Sequence, residues 1–187
     1  MKKDQHSSIF LDNKVYDLNF PVFDKEQIKT FLPHRDPFLF VDQIIDVNEL
    51  KDDKGDIKEG YIVGVKKIEN QEEQPIFKGH FPGEPIFPGV LLLECMAQIG
   101  GILILHQTPG SNATYLTGID KAKFKEKVVP GDLVVFKITF IQKRNIKDKD
   151  GLSSSKKSFI SMKGVGYVKD KMVVEAQINA MIIKNPL

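Results

Sequence analysis

Hydrophobic residues are densest between Val90 and about Gln107, where the chain is apolar on almost every side and contains no proline. This pattern predicts a helix that is buried all round, unlike a surface helix with a single apolar stripe. Glu94 stands among leucines in this stretch, where an unpartnered charge is expensive to bury. Gln98 follows four residues later and therefore lies on the same helical face. The pattern predicts a buried helix with one narrow polar stripe.

A run of alternating prolines and glycines precedes this helix and predicts a series of turns. Gly89 stands where the turns meet the helix, so its backbone N–H can approach a ligand at the positive end of the helix dipole. His80 lies at the entrance to the turns, fourteen positions before Glu94. An imidazole that takes a proton, a carboxyl group that holds one and a helix N-terminus that faces a developing oxyanion form an acid–base set.

Strands are predicted wherever β-branched and aromatic residues concentrate between turn residues. Between them we expect a charged turn over residues 48–60 and a mobile, charged loop over residues 142–157. The predicted bounds of the extended segments are 38–47, 61–68, 114–119, 133–141, 158–168 and 172–183. Asp24 and Gln27 have the spacing of a capping box, which predicts a short helix that ends before Pro33.

The order of these elements predicts an α+β fold. Only a sheet can cover a helix that is apolar on all sides, so we expect a curved antiparallel sheet wrapped around one long buried helix. Residues 24–187 form this single domain, and residues 1–23 precede it as an N-terminal extension. The extension has too many apolar side chains for a free tail. We therefore expect it to pack on the surface or on a partner subunit.

Composition narrows the function classes. The formal net charge of +2 is too small to indicate nucleic-acid binding, and a single cysteine, which cannot form an internal disulfide, fits a reducing cytoplasm. No apolar run follows the first residues, and the apolar helix contains Glu94, so neither a signal peptide nor a membrane span is expected. The four histidines are scattered and the glycines form no phosphate loop, so no metal and no cofactor are expected.

Three separated segments carry a family resemblance. They are LPHRDPFLFVDQI from Leu32, GHFPGEPIFPGVLLLECMAQIGG from Gly79 and GIDKAKFKEKVVPGD from Gly118. In this order they resemble the FabZ-type (3R)-hydroxyacyl-[acyl-carrier-protein] dehydratases of bacterial fatty acid synthesis, over roughly residues 25–183. The resemblance implies the hotdog fold and a homodimer, or a trimer of dimers, that pairs sheets edge to edge. It also implies sites between subunits, with the histidine from one chain and the glutamate from the other.

The resemblance also implies roles for individual residues. His80 becomes the catalytic base, Glu94 the catalytic acid, and Gly89 the residue whose N–H binds the thioester carbonyl. The related dehydratase-isomerase branch has aspartate in place of Glu94, so the expected activity is dehydration to a trans-2-enoyl thioester without isomerisation. Tyr115 aligns with a tyrosine that gates the acyl tunnel in some members. Residues expected to orient Glu94 or to line the tunnel are Gln98, Phe81, Ile86, Phe87 and Ile99.

Lysines recur at every second position after residue 120, at Lys121, Lys123, Lys125 and Lys127. In an extended strand they would project from one face, with Ala122 and Phe124 facing inward. Such a row is either a solvated strand face or a docking surface for the acidic acyl carrier protein.

Several alternatives stay open at this point. A hotdog thioesterase would use Glu94 to activate water, and a non-catalytic hotdog subunit would bind acyl chains without turnover. Cys95 is either a core residue or a nucleophile paired with His80. His34 and Arg35 match the LPHR motif and are assigned a structural role in the turn before the first strand. The acyl chain length, the carrier and the pathway, fatty acid or polyene synthesis, are not fixed by these residues.

Overall fold

The computed structural model describes residues 8–53, 57–70, 74–106, 112–147 and 153–184. Two α-helices occur in this part of the chain, α1 (Lys25–Phe31) and α2 (Gly89–Leu105), with a short 3-10 helix at Pro75–Lys78. The strands are β1 (Ser8–Leu11), β2 (Lys14–Asp17), β3 (Gln43–Lys51), β4 (Ile57–Lys67), β5 (Asn112–Phe124), β6 (Leu133–Lys147), β7 (Ser153–Val168) and β8 (Lys171–Lys184).

One antiparallel sheet covers the long helix. Its strand order is β3-β4-β6-β7-β8-β5, and α2 contacts β4, β5, β6, β7 and β8. Glycines in the strands let the helix approach closely. A Cβ at Gly164 would lie 2.7 Å from the sulfur of Met96, and one at Gly64 would lie 2.8 Å from the side chain of Ile99. The predicted antiparallel sheet around one buried helix is confirmed.

Two strand pairs extend further than the sequence predicted. Most of the expected turn at 48–60 belongs to β3 and β4, which end at Lys51 and begin at Ile57. The expected mobile loop at 142–157 is wrong for the described residues, because β6 continues to Lys147 and β7 begins at Ser153. Charged and serine-rich residues fit these hairpins because one face of an antiparallel pair can remain in water.

The first long strand begins later than predicted, at Gln43 instead of Phe38. The backbone around Phe38 and Phe40 has a different partner. The N–H of Phe40 donates to Oε1 of Gln98 (3.0 Å), and the carbonyl of Phe38 accepts from Nε2 of Gln98 (2.8 Å). A side chain of α2 therefore takes the place of a neighbouring strand for this segment.

The short helix follows its sequence signal. The side chain of Asp24 accepts from the N–H of Gln27 (2.9 Å), and the side chain of Gln27 accepts from the N–H of Asp24 (2.9 Å). Helix α1 spans Lys25–Phe31 and ends before Pro33. The predicted capping box is confirmed.

Residues 8–17 form a β-hairpin on the outer face of the sheet. Asp12 and Asn13 form its two-residue turn, both at positive φ (50° and 62°), as a twisted hairpin requires. Its apolar side chains Leu11 and Tyr16 pack against Ile45, Val63, Val65 and Val135. This is the surface packing that its composition indicates, while the division of the chain at residue 23 stays a prediction. Residues 1–7 lie outside the described residues.

The lysine-rich segment departs from regular alternation. Strand β5 ends at Phe124, and its pairing with β8 shifts register between Asp120 and Lys123, where Lys121 has a φ of 54°. All four lysines are exposed, and so is Ala122, so the inward orientation predicted for Ala122 is wrong. Phe124 does face inward: it pairs with the core residue Val174 and its ring lies against Gly89, although it is 51% exposed in the single chain. The bulge breaks the two-residue repeat on which that prediction depended.

None of the described helices has the length and hydrophobicity needed to cross a bilayer.

Candidate active site

The amide of Gln98 fixes the side chain of Glu94. Gln98 is buried in α2, and its Nε2 donates to Oε1 of Glu94 at 2.9 Å. The other amide hydrogen goes to the carbonyl of Phe38, and the amide oxygen accepts from Phe40. Every one of these hydrogen bonds requires the same amide orientation, so Oε1 of Glu94 faces a donor that cannot turn away. Glu94 is paired with an amide here.

The LPHR segment lies against the same carboxyl group. Nε2 of His34 is 3.5 Å from Oε1 of Glu94. Arg35 stabilises this turn, because its Nη1 donates to the carbonyls of Leu32 (2.9 Å) and His34 (2.7 Å). From its motif, His34 was expected to have only a structural role. Its motif was visible, but no helical or strand spacing links it to a glutamate sixty positions away.

A cavity of about 130 Å³ opens beside Glu94. It runs between α2 and the far strands of the sheet, and most of its wall is apolar. On the helix side the wall includes Ala97, Gly101 and Ile104, and on the sheet side it includes Leu116, Met162, Ile178 and Ala180. A carboxyl group at one end of an apolar hollow is suited to a ligand with a polar head and a hydrocarbon tail.

His80 is held in one tautomer by the turns before α2. Its Nδ1 lies 2.8 Å from the carbonyl oxygen of Ile86, which can only accept, so Nδ1 carries the hydrogen. The other nitrogen, Nε2, then has a lone pair available for a proton. The turn is closed by reciprocal backbone bonds between Phe81 and Glu84 (3.1 Å each), around Gly83 at a φ of 81°. A proline followed by glycine suits a type II turn at this point.

The cavity wall in one chain includes Glu94 and His34 but not His80. The family resemblance implies that His80 of one subunit approaches Glu94 of another. This contact between subunits stays a prediction.

Gly89 is the first residue of α2, and Pro88 before it provides no side-chain cap. A Cβ at this position would lie 2.7 Å from the ring of Phe124, so a larger residue would require this ring to move. The N-terminal end of the helix is therefore packed against the end of β5. Its N–H groups carry the positive end of the helix dipole, which suits a carbonyl oxygen that gains negative charge.

Comparison with known protein families identifies the family of this chain. Residues 32–177 match the FabA-like domain, a range that includes the LPHR segment, His80 and Glu94. The chain belongs to the FabA-like family.

Relatives within the FabA-like family indicate the FabZ type. A 3-hydroxyacyl-[acyl-carrier-protein] dehydratase FabZ from Sulfurovum sp. is 38% identical over 171 residues, which are 87% of this chain and 98% of that relative. A bifunctional enzyme LpxC/FabZ from Porphyromonas gingivalis is 44% identical over 167 residues, 88% of this chain but 31% of that relative. The FabA-like chain thus spans about a third of the length of the bifunctional relative and nearly all of the FabZ relative.

A solved structure supports the fold. The dehydratase heterocomplex ApeI:P from Xenorhabdus doucetiae matches with a TM-score of 0.60 and 14% sequence identity, over 89% of this chain and 92% of that chain. At this identity the likeness concerns the fold alone. The FabA-like chain has the hotdog fold that its motifs predicted.

The residues predicted to line an acyl tunnel occupy different environments in this FabA-like chain. Gln98 lines the cavity beside Glu94. Ile99 and Phe87 are buried in the core, Ile99 against Gly64 and Phe87 between the rings of Phe40 and Phe77. These two are core residues of the single chain and do not line its cavity.

The other three predicted tunnel residues lie nearer the surface. Phe81 is 48% exposed and stacks on the ring of His80, and Ile86 is partly buried. Tyr115 is 58% exposed, while its neighbours Thr114 and Leu116 contribute to the cavity wall. Their contact with an acyl chain stays a prediction.

Three of the four lysines form ion pairs. Lys123 and Lys125 pair with Glu175 (3.8 and 3.1 Å), and Lys127 contacts Glu84 in the turn that follows His80. A basic segment therefore lies next to the predicted base. Docking of a carrier protein on Lys121, Lys123, Lys125 and Lys127 stays a prediction.

Cys95 is fully buried in the core. Burial is the main cause that raises the pKa of its thiol above the ordinary value. A thiol in this position lacks the thiolate character of a nucleophile, so Cys95 serves the core.

Proposed function

We propose that this chain dehydrates (3R)-hydroxyacyl thioesters, carried on acyl carrier protein, to trans-2-enoyl thioesters in fatty acid synthesis in the cytoplasm. The observation that carries the proposal is the fixed carboxyl group of Glu94 at the end of an apolar cavity. A base with a free lone pair on the same chain, His80, complements it. The FabZ relatives are named for the same reaction.

The reaction needs one proton acceptor and one proton donor. His80 takes the proton from C2 of the acyl chain on its Nε2, and the electrons move into the thioester carbonyl. The N–H of Gly89, at the start of α2, stabilises the oxygen of this enolate. Glu94 gives its proton to the 3-hydroxyl, the C3–O bond breaks, water leaves and the C2–C3 double bond forms. After the product leaves, His80 loses its proton to water and Glu94 takes one up from water, which restores both residues.

A homodimer would bring the two halves of the site together. Strand β5 is an edge strand of the sheet, and apolar side chains are exposed along it and beside it, including Tyr115 (58%), Leu116 (48%), Phe124 (51%) and Val90 (67%). An exposed apolar edge favours pairing with a second copy. Because Phe124 packs on Gly89, this edge adjoins the helix N-terminus, where His80 of one copy would approach Glu94 of the other.

The acyl tail would lie in the cavity along α2. Glu94 and Ile104 are ten residues apart, which corresponds to roughly 15 Å along the helix. An extended polypeptide has three backbone bonds per residue and advances roughly 1.2 Å per bond, and we take the same advance for an extended acyl chain. A cavity of this length suits acyl chains of medium length.

Acyl carrier protein would dock on the lysine-rich segment. Its acidic surface suits the exposed amino groups of Lys121, Lys123, Lys125 and Lys127, and these lie near the turn that holds His80. The same amino groups would also attract the phosphates of coenzyme A, but less selectively. Inhibition of the reaction by free acyl carrier protein therefore distinguishes acyl carrier protein from coenzyme A as the carrier.

A spectrophotometric hydration assay tests the proposal. The full chain should consume the absorbance of a trans-2-enoyl thioester, and His80→Ala should reduce the rate by about 10²–10⁴-fold, the usual contribution of a general base. His6→Ala, outside the residues that match the family, is the matched control and should keep the wild-type rate. Release of free thiol without loss of the double bond would instead indicate a thioesterase, and binding without either would indicate a non-catalytic subunit.

A further inference from the structure

We infer that His34 is a positioning residue for Glu94: its Nε2–H, together with the amide of Gln98, holds Oε1 of Glu94 and thereby assigns the transferable proton to Oε2. The inference rests on the proposed dehydration and adds a residue to it. His34 belongs to the LPHR segment and is separate from the predicted base His80.

The first step is the convergence of two groups on one oxygen. Nε2 of Gln98 is 2.9 Å from Oε1 of Glu94, and Nε2 of His34 is 3.5 Å from the same atom. Hydrogen bonds at an unliganded site are often long and tighten when substrate binds. Both nitrogen atoms therefore approach the same oxygen, Oε1 of Glu94.

The second step is the tautomer of His34. Its Nδ1 is buried and has no hydrogen-bond partner among the described residues. A buried N–H without an acceptor is costlier than a lone pair without a donor, so the hydrogen belongs on Nε2. With its single hydrogen on Nε2, the imidazole points that donor at Glu94.

The third step is the rigidity of the arrangement. The ring of His34 stacks on Phe38 (6.4 Å between centroids, 19° between planes), and the carbonyl of Phe38 accepts from Gln98. Arg35 fixes the backbone of His34 through its carbonyl. His34, Phe38, Gln98 and Glu94 thus form one connected unit. Movement of the imidazole would disturb the same network that fixes the glutamate.

These steps have a chemical consequence. With two donors on Oε1, that oxygen acts as an acceptor, and the acid proton resides on Oε2. The proton passes from Oε2 to the leaving hydroxyl, and both donors then stabilise the carboxylate that remains. The arrangement favours the transition state, in which charge develops on Glu94, over the ground state, in which the carboxyl group is neutral.

Two variants test the inference in the hydration assay. His34→Phe keeps a ring that can stack on Phe38 but removes the donor, and kcat should fall about tenfold with little change in KM, the loss expected for one hydrogen bond to a charged group. His34→Gln places an amide nitrogen near the position of Nε2 and should recover most of the rate. Equal activity of His34→Phe and wild type, or equal loss in both variants, would overturn the inference.

A second measurement needs neither turnover nor a change at position 34. Single substitutions of the other three histidines assign the ¹⁵N spectrum of His34 by elimination, and its hydrogen should be on Nε2. A hydrogen on Nδ1 would overturn the inference. If wild-type protein does not hydrate enoyl thioesters, the proposed function fails, and the tautomer still decides whether His34 faces Glu94 as a donor.

Discussion

Two carboxyl groups on opposite faces of the same sheet have different sets of partners. On the outer face, Oδ2 of Asp46 accepts from Lys14 (2.8 Å), Tyr16 (3.0 Å) and Tyr61 (3.1 Å). On the inner face, Glu94 accepts one hydrogen bond from Gln98, has His34 at 3.5 Å and borders a cavity.

The difference separates a structural carboxylate from the carboxyl group proposed as the acid. Burial by itself would raise the pKa of Asp46, but the hydrogen bonds from Lys14, Tyr16 and Tyr61 outweigh it and hold the pKa below the ordinary value. Asp46 is therefore a fixed anion that ties the N-terminal hairpin to the sheet. Glu94 has fewer donors and an open side, as an acid that exchanges its proton with a substrate requires.

The largest effect is expected at Glu94. Glu94→Gln should lower kcat in the hydration assay by about 10²–10⁴-fold, because the amide has no acidic proton to give. The fold should survive, since the new amide oxygen still accepts from Gln98. Thermal unfolding within a few degrees of wild type is the control. A variant with near wild-type turnover would remove Glu94 from the mechanism.

The matched change on the outer face should have the opposite result. Asp46→Asn should lower the free energy of unfolding by about 1–2 kcal/mol, because three hydrogen bonds lose their charged acceptor. Hydration activity per folded molecule should stay within about twofold, since Asp46 lies under the hairpin and away from the cavity. Denaturant unfolding and the same assay measure both quantities. Loss of activity without loss of stability would break the comparison.

A change in the wall of the cavity should alter substrate choice. A Cβ at Gly101 would meet Leu32 and Thr114 at ordinary contact distances of 3.6 and 3.7 Å, so Gly101→Ala should fold normally. Gly101→Leu extends further into the cavity and should reduce kcat/KM about tenfold for a medium-chain enoyl thioester, with crotonyl thioester little affected. Equal loss on both substrates would mean that the tail does not run past residue 101.

The smallest effect concerns pH. The pKa of Asp46 is lowered in the folded protein, so its charge adds stability above the unfolded value, near pH 4, and this contribution is lost as pH falls through the folded pKa. The difference in unfolding free energy between wild type and Asp46→Asn should therefore narrow below about pH 4. A constant difference from pH 7 to pH 3 would show that packing, and not charge, links Asp46 to the hairpin.

Local signals predicted some parts of this fold well. The buried helix was expected from Val90 to about Gln107 and occupies Gly89–Leu105, and its bounds followed from the turns before it and its unbroken hydrophobicity. The capping box at Asp24 was equally direct, because both of its partners lie within one turn. Gln107 lies outside the described residues.

Other features depended on contacts between distant segments. The start of the first long strand was wrong because the partner of Phe38 and Phe40 is a side chain about sixty residues away. His34 was assigned to a turn for the same reason. By contrast, the hairpin at residues 8–17 had a local signal, Asp12–Asn13 between two apolar runs, which would have identified it.

Gln98 serves as a backbone partner for Phe38 and Phe40 as well as the donor to Glu94. A substitution at this position would remove the hydrogen bonds to Phe38 and Phe40 and would also remove the donor that orients Glu94. Only a residue of the same length with both an N–H and a C=O at its tip can meet these three demands. Position 98 should therefore tolerate less variation than the immediate chain neighbours of Glu94.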